Sequence, residues 1–436
     1  MKQLISALFL TCCFLTSSSF ALNLQDVYLL ALQNDAELKI AESQYMAVVA
    51  TLPLASSAQK PQINFNAVAG IARSDVSTTG SNDSDSIGYT LNLNQNLYNR
   101  QLSAITDTAE ANTRKALADL ESTRQTLFIR IANVYFDVLA AKDNVDFSQA
   151  EKNSISRQLE QAQKRFEVGL IAITDVKEAQ AKFDSSTAQL IAAENFLANT
   201  REALQVIIGE DLAEPITGLG DNLKLLIPEP ADSEKWVSEA LKSNQNLLAA
   251  EAALQASQEE RKRSQAGSYY PTLDLNASYG NTSFDSDNLG NFDQTDTQIS
   301  LVLNVPLYTG GRTNAEIRQA EANYQSARYS LILQKRLVAQ QTRDAYLGVV
   351  SGISQVKALK QALISSNSAL EATEAGFEVG TRTSVDVLDS LRETFRAQRD
   401  YASARYDYLT NTLILKQAAG ILNESDFVQI DHWLIQ

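Results

Sequence analysis

The sequence predicts a mixed α and β membrane protein in which very long helices are joined to two β-hairpins. Three observations support this fold class. Residues 101–168 contain neither proline nor glycine, two stretches alternate apolar and polar residues with a period of two, and motifs recur at an offset of about 210 residues. A compact globular domain does not require a helix of about 100 Å, which residues 101–168 reach at ~1.5 Å per residue.

The first 21 residues are predicted to be a secretory signal peptide. Lys2 precedes an apolar stretch over residues 4–15, and Ser19 and Ala21 place small residues at the −3 and −1 positions of a cleavage site. The alternative is a buried N-terminal helix. Both cysteines of the chain lie in the apolar stretch, so we expect an exported mature chain without disulfides.

Two proline-free stretches predict the long helices. Residues 101–168 carry apolar side chains at steps of three, four and seven, which is typical of helices that pack along a narrow seam. Residues 312–378 show a similar pattern, interrupted by three glycines. Each stretch ends in a Val-Gly pair, at Gly169 and Gly380, and this predicts a turn with glycine in the left-handed C-cap position.

Two further stretches predict β-hairpins, at about 61–98 and 271–308. In each, apolar residues alternate with Asn, Thr and Asp, as in strands that face lipid on one side and water on the other. We expect strands of about ten residues, the length that crosses a membrane, with polar tips at 75–86 and 281–298. The alternation alone fits a half-buried soluble hairpin equally well, and the signal peptide favours the membrane.

The two halves of the chain repeat one another. Three short motifs recur at offsets of 210 or 211 residues: PQINFNA (61–67) and PTLDLNA (271–277), AEAN (109–112 and 320–323), and FEVG (166–169 and 377–380). We therefore expect a signal peptide at 1–21, a first repeat at 22–208, a linker at 209–235 and a second repeat at 236–436. Each repeat would hold a helix, a hairpin, a very long helix and a returning helix.

The repeat has a consequence for assembly. Two hairpins supply only four strands per chain, which cannot close a barrel, and an open strand edge in lipid leaves unpaired backbone groups that cost several kcal/mol each. The chain is therefore expected to oligomerise. Three copies supply twelve strands, enough to close a barrel around a water-filled lumen.

Composition and charge exclude several classes of function. The 436 residues include 37 basic and 52 acidic side chains, and this net charge of −15 argues against nucleic-acid binding, which needs clustered lysine and arginine. The single histidine, His432, cannot supply a histidine triad or a multi-histidine metal site. Neither a G-x-S-x-G elbow nor a glycine-rich phosphate loop occurs. We therefore expect no enzyme activity and no cofactor.

Several motifs together resemble the TolC family of outer-membrane efflux proteins: RFEVGLIAITDV (165–176), FEVGTRTSVDVLD (377–389), PTLDLNAS (271–278) and LNVPLYTGGR (303–312). The likeness covers essentially the whole mature chain. It implies a homotrimer whose twelve-stranded β-barrel lies in outer-membrane lipid and continues into a long α-helical barrel in the periplasm of a Gram-negative bacterium. It also implies a passive exit duct for multidrug efflux and type I protein secretion. Such a duct docks onto a periplasmic adaptor and an inner-membrane pump of the RND, ABC or MFS type.

The resemblance places two aspartates at the narrow periplasmic tip. Asp386 and Asp389 lie three apart on a helix predicted to start near Ser384, so both project from one face. In a trimer each would form a ring of three carboxylates that attracts cations. The alternative is that they only complement the dipole of their helix.

By the same resemblance, contacts between the two helical hairpins hold the tip closed. Arg382 would contact Thr174 and Asp175, with Phe377 and Lys164 beside them. The family pattern has tyrosine in place of Phe377 and glutamine in place of Lys164. Because Phe377 has no hydroxyl, we expect the hydrogen bond from a tyrosine hydroxyl to Asp175 to be absent here. We expect Lys164 to pair with an acidic neighbour.

Two other functions fit parts of the sequence. A periplasmic coiled-coil adaptor or scaffold without a pore would explain the long helices, but it has no reason to present amphipathic strands twice. An exported hydrolase could use Asp386 and Asp389 as a glycosidase-like pair, but the tip of a long helix offers no pocket. The outer-membrane duct is the function that the sequence favours.

Overall fold

The computed structural model describes residues 22–76, 80–211, 216–220, 223–286 and 290–434. The predicted signal peptide at 1–21 lies outside the described residues. Within the described ranges, helices and strands follow one another in this order: α1 (Leu24–Asn34), α2 (Ala36–Val49), α3 (Thr51–Ser57), β1 (Gln62–Val76), β2 (Gly80–Tyr98), α4 (Arg100–Glu167), α5 (Ile173–Ile208), α6 (Ser233–Ser243), α7 (Gln245–Tyr269), β3 (Thr272–Ser286), β4 (Phe292–Asn304), α8 (Arg312–Glu378), α9 (Ser384–Ala418) and α10 (Glu424–Asp431).

The two predicted long helices are α4, of 68 residues, and α8, of 67 residues. The side chain of Asn99 caps the start of α4 by accepting a hydrogen bond from the Gln101 amide at 3.0 Å. Lys164 and Arg165 lie in its last turn, where cations complement the helix dipole. Each long helix turns back into a helix of about half its length, α5 of 36 residues and α9 of 35 residues.

The four strands form one antiparallel sheet in the order β1-β2-β3-β4. They contain 15, 19, 15 and 13 residues, so the predicted length of about ten residues is wrong. Most of the predicted polar tips at 75–86 and 281–298 is strand, and their centres at 77–79 and 287–289 lie outside the described residues. Strands pair through hydrogen bonds between backbone groups, so polar side chains do not prevent pairing. The strands therefore continue into the polar segments beyond the apolar part of each hairpin.

The sheet has one apolar and one polar face across all four strands. In the apolar row, Leu91 pairs with Phe65 on one side and with Tyr279 on the other. In the polar row, Asn92 occupies the same position between Asn64 and Ser278. Large apolar side chains on the first face are mostly solvent-exposed in the single chain, among them Phe65 at 66%. This is the two-sided pattern of a strand between lipid and water.

Matching contacts join the helices in both halves of the chain. The side-chain amide of Asn34, at the junction of α1 and α2, donates to the Ile208 carbonyl at the end of α5 at 2.8 Å. The side-chain amide of Asn244, at the junction of α6 and α7, donates to the Ala418 carbonyl at the end of α9 at 3.0 Å. These bonds satisfy helix-end carbonyls that lack an intrahelical partner.

The main hydrophobic core lies midway along the long helices and is called the equatorial core below. In the described ranges it contains 34 buried hydrophobic residues, contributed largely by α1, α4, α5, α8, α9 and α10. Phe427 of α10 is fully buried, with ring centroids 5.3 Å from Tyr28 and 4.2 Å from Phe128. The buried Tyr135 hydroxyl donates to the Thr217 carbonyl at 2.8 Å, which ties α4 to the linker.

No helix in the described part of the chain is both long enough and apolar enough to cross a membrane.

Candidate aperture at the helical tip

The ends of two helical hairpins, α4/α5 and α8/α9, pack side by side and form the tip. In the part of the chain that the structure describes, a small cluster of six buried hydrophobic residues, the tip cluster, holds them together. Its members are Ile155, Leu159 and Ala162 of α4, Ala179 of α5, and Leu388 and Leu391 of α9. Contacts between α5 and α9 thus place the first turn of α9 beside the first hairpin.

Glycine forms the turn at the end of each hairpin. Gly169 has φ +74° and Gly380 has φ +77°, a conformation that L side chains rarely adopt. Apart from the adjacent residues in the chain, no atom of the described residues lies within 4 Å of a Cβ built at either position, so backbone conformation rather than packing requires glycine there. The Leu170 amide donates to the Arg165 carbonyl at 2.9 Å and the Thr381 amide to the Gly376 carbonyl at 2.8 Å, which satisfies the helix ends.

Asp386 lies in the first turn of α9 and forms a capping box with Thr383. Its carboxylate accepts from the Thr383 amide at 2.9 Å and from the Thr383 hydroxyl at 3.0 Å, and its own amide donates back to that hydroxyl at 3.2 Å. These hydrogen bonds lower the pKa of Asp386, so the carboxylate is ionised at neutral pH. Within one chain Asp386 therefore starts a helix, as the alternative interpretation expects.

Asp389 makes a different set of contacts. Its carboxylate oxygen lies 2.9 Å from Lys182 Nζ on α5 and 3.8 Å from Arg392 on α9. Half of the Asp389 side chain remains exposed. The sequence analysis did not predict the contact of Lys182 with Asp389, which is 207 positions away. The internal repeat indicates the region of α5 that is equivalent to the start of α9. The position equivalent to Asp389 in the first half is Glu178, one helical turn before Lys182.

The predicted contact of Arg382 with Thr174 and Asp175 does not occur within one chain. The Thr174 hydroxyl lies 3.5 Å from a carboxylate oxygen of Asp175, the next residue in the chain. Arg382 forms no ion pair of 4.0 Å or less in the described chain. The stem of Arg382 instead crosses the end of α8, where a Cβ added to Gly376 would lie 2.8 Å from its Cγ.

Lys164 and Phe377 also have partners. Lys164 pairs with Glu160 one turn earlier on α4, so it does not join the two hairpins. The Phe377 ring lies 4.3 Å from the guanidinium carbon of Arg165, a cation–π contact between α8 and α4. Phenylalanine therefore keeps a link between the hairpins here without a hydroxyl, and sequence reasoning had not included Arg165 among the tip contacts.

Comparison with known proteins identifies the family. The chain matches the family described as "Outer membrane efflux protein" over residues 27–210 and 236–421, one segment in each half. It belongs to the outer membrane efflux protein family. Outer membrane protein TolC of Vibrio cholerae is 39% identical over 421 residues, which cover 96% of this chain and 95% of that protein. Alkaline protease secretion protein AprF of Pseudomonas aeruginosa is 29% identical and covers 94% and 87%. The crystal structure of the Campylobacter jejuni CmeC outer membrane channel matches with a TM-score of 0.81 at 18% identity, covering 94% and 89%.

An outer membrane efflux protein chain supplies four strands to a twelve-stranded barrel, which three copies close in the outer membrane. Its long helices belong to the helical barrel that extends into the periplasm. The predicted family, fold class and outer-membrane location are confirmed. The sheet fits this assembly, because β1 and β4 each have one outer edge without a strand partner in the described chain. The family is one of channels rather than enzymes.

Proposed function

We propose that this chain forms a passive exit duct whose periplasmic tip is a gated, cation-favouring aperture. The observation that carries the proposal is the weak attachment of the two hairpin ends. Among the residues that the structure describes, six buried hydrophobic residues hold the tip, against 34 in the equatorial core. A duct that opens at one end needs that end to separate while its middle stays packed. Substrates then pass from an inner-membrane pump to the outside without a transport cycle in the duct itself.

The partners follow from the same function. A duct without an energy source needs an inner-membrane pump, and we propose one of the RND, ABC or MFS type, joined through a periplasmic adaptor. The family name and the name of one relative support two kinds of cargo. The family name refers to efflux, and AprF is an alkaline protease secretion protein, so we propose small toxic molecules and secreted polypeptides as substrates.

Asp386 and Asp389 are proposed to form two carboxylate rings where three tips meet. Both lie in the first two turns of α9, next to the Gly380 turn, and Asp386 is ionised at neutral pH because hydrogen bonds from Thr383 lower its pKa. Rings of carboxylates favour cations over anions. The helix-capping role of Asp386 does not conflict with this, because its carboxylate remains at the surface of the tip.

Arg382, Thr174 and Asp175 are proposed to join neighbouring protomers. Arg382 attracts the nearby Asp386 carboxylate but makes no ion pair with Asp175 inside the described chain. Because Arg382 is exposed at the tip, Asp175 of a second protomer is the partner proposed for it. Lys164 stays with Glu160 on its own helix and is not proposed as a link.

Single-channel recordings in planar bilayers test the aperture. Replacing both Asp386 and Asp389 with asparagine should weaken cation preference and block by a trivalent cation, while the trimer persists. Separately, Arg382→Ser and Asp175→Ala should each raise the resting conductance. If the double asparagine variant keeps full cation preference and full block, Asp386 only caps its helix and Asp389 only pairs with Lys182. Deletion of the gene, followed by drug-susceptibility and protein-secretion assays, tests the duct function as a whole.

A further inference from the structure

Two ion pairs connect the α4/α5 hairpin to the α8/α9 hairpin in the described chain. Arg399 of α9 pairs with Glu151 of α4 at 3.0 Å, at a position where Glu151 is almost completely buried. Lys182 of α5 pairs with Asp389 of α9 at 2.9 Å, much nearer the tip and partly exposed. The second pair therefore joins the hairpins at the residue that the proposed function places in the aperture.

We propose that Lys182 is the conditional counter-ion of Asp389 and couples the charge of the aperture to the separation of the two hairpins. This inference rests on the proposed function, because it assigns a regulator to the same site. While α5 and α9 are in contact, Lys182 neutralises Asp389. When the hairpins separate, Asp389 is released and adds its charge to the ring.

The geometry makes Lys182 the group that responds to separation. Arg392 also lies near Asp389, at 3.8 Å, but it sits three positions later on the same helix and moves with it. Lys182 stands on the other hairpin, so separating α5 from α9 lengthens its distance to Asp389 directly. Of the two cations that pair with Asp389 in the described chain, only Lys182 therefore contributes a charge that depends on the separation of the hairpins.

Asp386 provides the contrast. Its carboxylate is held by Thr383, which belongs to the same capping box and moves with the same helix. Separation of the hairpins leaves these hydrogen bonds unchanged. The two rings thus differ: the Asp386 ring carries a permanent charge, and the Asp389 ring carries a charge that appears on opening.

The coupling has a reciprocal consequence. If opening releases Asp389 to bind cations, then a cation bound at Asp389 competes with Lys182 and stabilises the separated hairpins. An exposed ion pair shifts such an equilibrium only modestly, by about two- to five-fold per pair. Three copies in the trimer act on one aperture, which makes the effect measurable.

The test measures single-channel conductance and the concentration of La³⁺ that gives half block from the periplasmic side. Lys182→Gln should raise the resting conductance and lower the half-block concentration by about two- to five-fold or more. Lys177→Gln is the matched control. It removes the same charge from α5, five residues earlier, at an exposed position without an ion pair in the described residues, and it should leave both quantities unchanged.

Two double variants complete the design. Lys182→Gln added to Asp389→Asn should behave as Asp389→Asn alone, because the pair is already broken. The charge exchange Lys182→Asp with Asp389→Lys should restore the wild-type resting conductance and lose the Asp389 share of the block. A Lys182→Gln channel with wild-type conductance and wild-type half-block concentration would overturn the counter-ion role, and so would a charge exchange that stays as leaky as the single variants. If the Asp386→Asn and Asp389→Asn double variant does not alter the block, the proposed aperture itself is wrong, whatever Lys182 does.

Discussion

The equatorial core and the tip cluster hold helices of the two hairpins together by different means. The equatorial core uses large buried rings and hydrogen bonds to backbone carbonyls, such as Tyr135 to Thr217 and Tyr408 to Leu226. The tip relies on a small cluster supplemented by contacts at the surface, Lys182 with Asp389 and Arg165 with Phe377. The contacts that stabilise the fold are therefore concentrated midway along the long helices. At the tip, the two helical hairpins can separate with little loss of stability.

The largest expected effect comes from breaking the equatorial core. Phe427→Ala removes a fully buried ring that contacts Tyr28 and Phe128, and we expect a loss of about 3–5 kcal/mol in stability. Thermal dissociation of the purified trimer measures it. Leu391→Ala in the tip cluster is the comparison: it should lower stability less and raise resting conductance instead. Equal losses of stability at both sites would contradict the difference between the two regions.

The second prediction concerns the buried ion pair between the hairpins. Arg399→Met leaves the Glu151 carboxylate, only 2% exposed, without its cation, and should destabilise the trimer by about 2–4 kcal/mol. Replacing both residues with methionine should recover most of that loss, because the unpaired buried charge is gone. Thermal dissociation again provides the measurement. A double variant as unstable as Arg399→Met would show that the pair itself, rather than the orphaned charge, sets the stability.

The third prediction concerns the cation–π contact at the tip. Phe377→Ala removes the ring that faces Arg165 and should weaken hairpin attachment by about 0.5–1 kcal/mol per chain. Resting conductance should rise while thermal dissociation barely changes. Phe377→Tyr keeps the ring and is the matched control, and it should close at least as firmly as the wild type. A conductance that is the same in all three channels would remove Arg165 and Phe377 from the gate.

The fourth prediction concerns a pH dependence of stability at the equatorial core. Asp431 accepts hydrogen bonds from the Leu24 and Gln25 amides, and burial raises its pKa to about 6. The folded state therefore binds a proton at Asp431 more tightly than the unfolded chain does. Protonated Asp431 stabilises the fold at low pH, and this stabilisation is lost as pH rises from about 4 to about 6. Asp431→Asn cannot titrate, so its dissociation temperature relative to wild type should increase across this window. A constant difference from pH 4 to pH 7 would contradict the raised pKa.

The regular parts of the fold were predictable from the sequence. Proline-free runs with helical spacing predicted α4 and α8 to within one or two residues, and the Val-Gly pairs marked the turns at Gly169 and Gly380. Strand length was not predictable in the same way. Serine and aspartate at 81–86 look like a loop by composition, but they continue a backbone ladder that β1 has already started.

The contacts of the tip were harder to predict, because they join residues about 200 positions apart. Lys182 contacts Asp389 only because α5 and α9 pack in a particular register. The spacing of residues within either helix does not predict this ion pair. The substitution at Phe377 suggested a lost hydrogen bond, whereas the structure supplies Arg165 from the neighbouring helix. The proposed Arg382 contact involves a second copy of the chain, which a single sequence does not position.

The open edges of the sheet also bear on how the channel reaches its membrane. The described part of each chain carries two strand edges without a partner strand, along the 15 residues of β1 and the 13 residues of β4. A lone sheet in lipid would leave these backbone groups unsatisfied, so chains gather before or during insertion rather than after it. Insertion then depends on the meeting of three chains. At low expression, the amount of inserted channel should fall more steeply than the amount of chain that the cell exports.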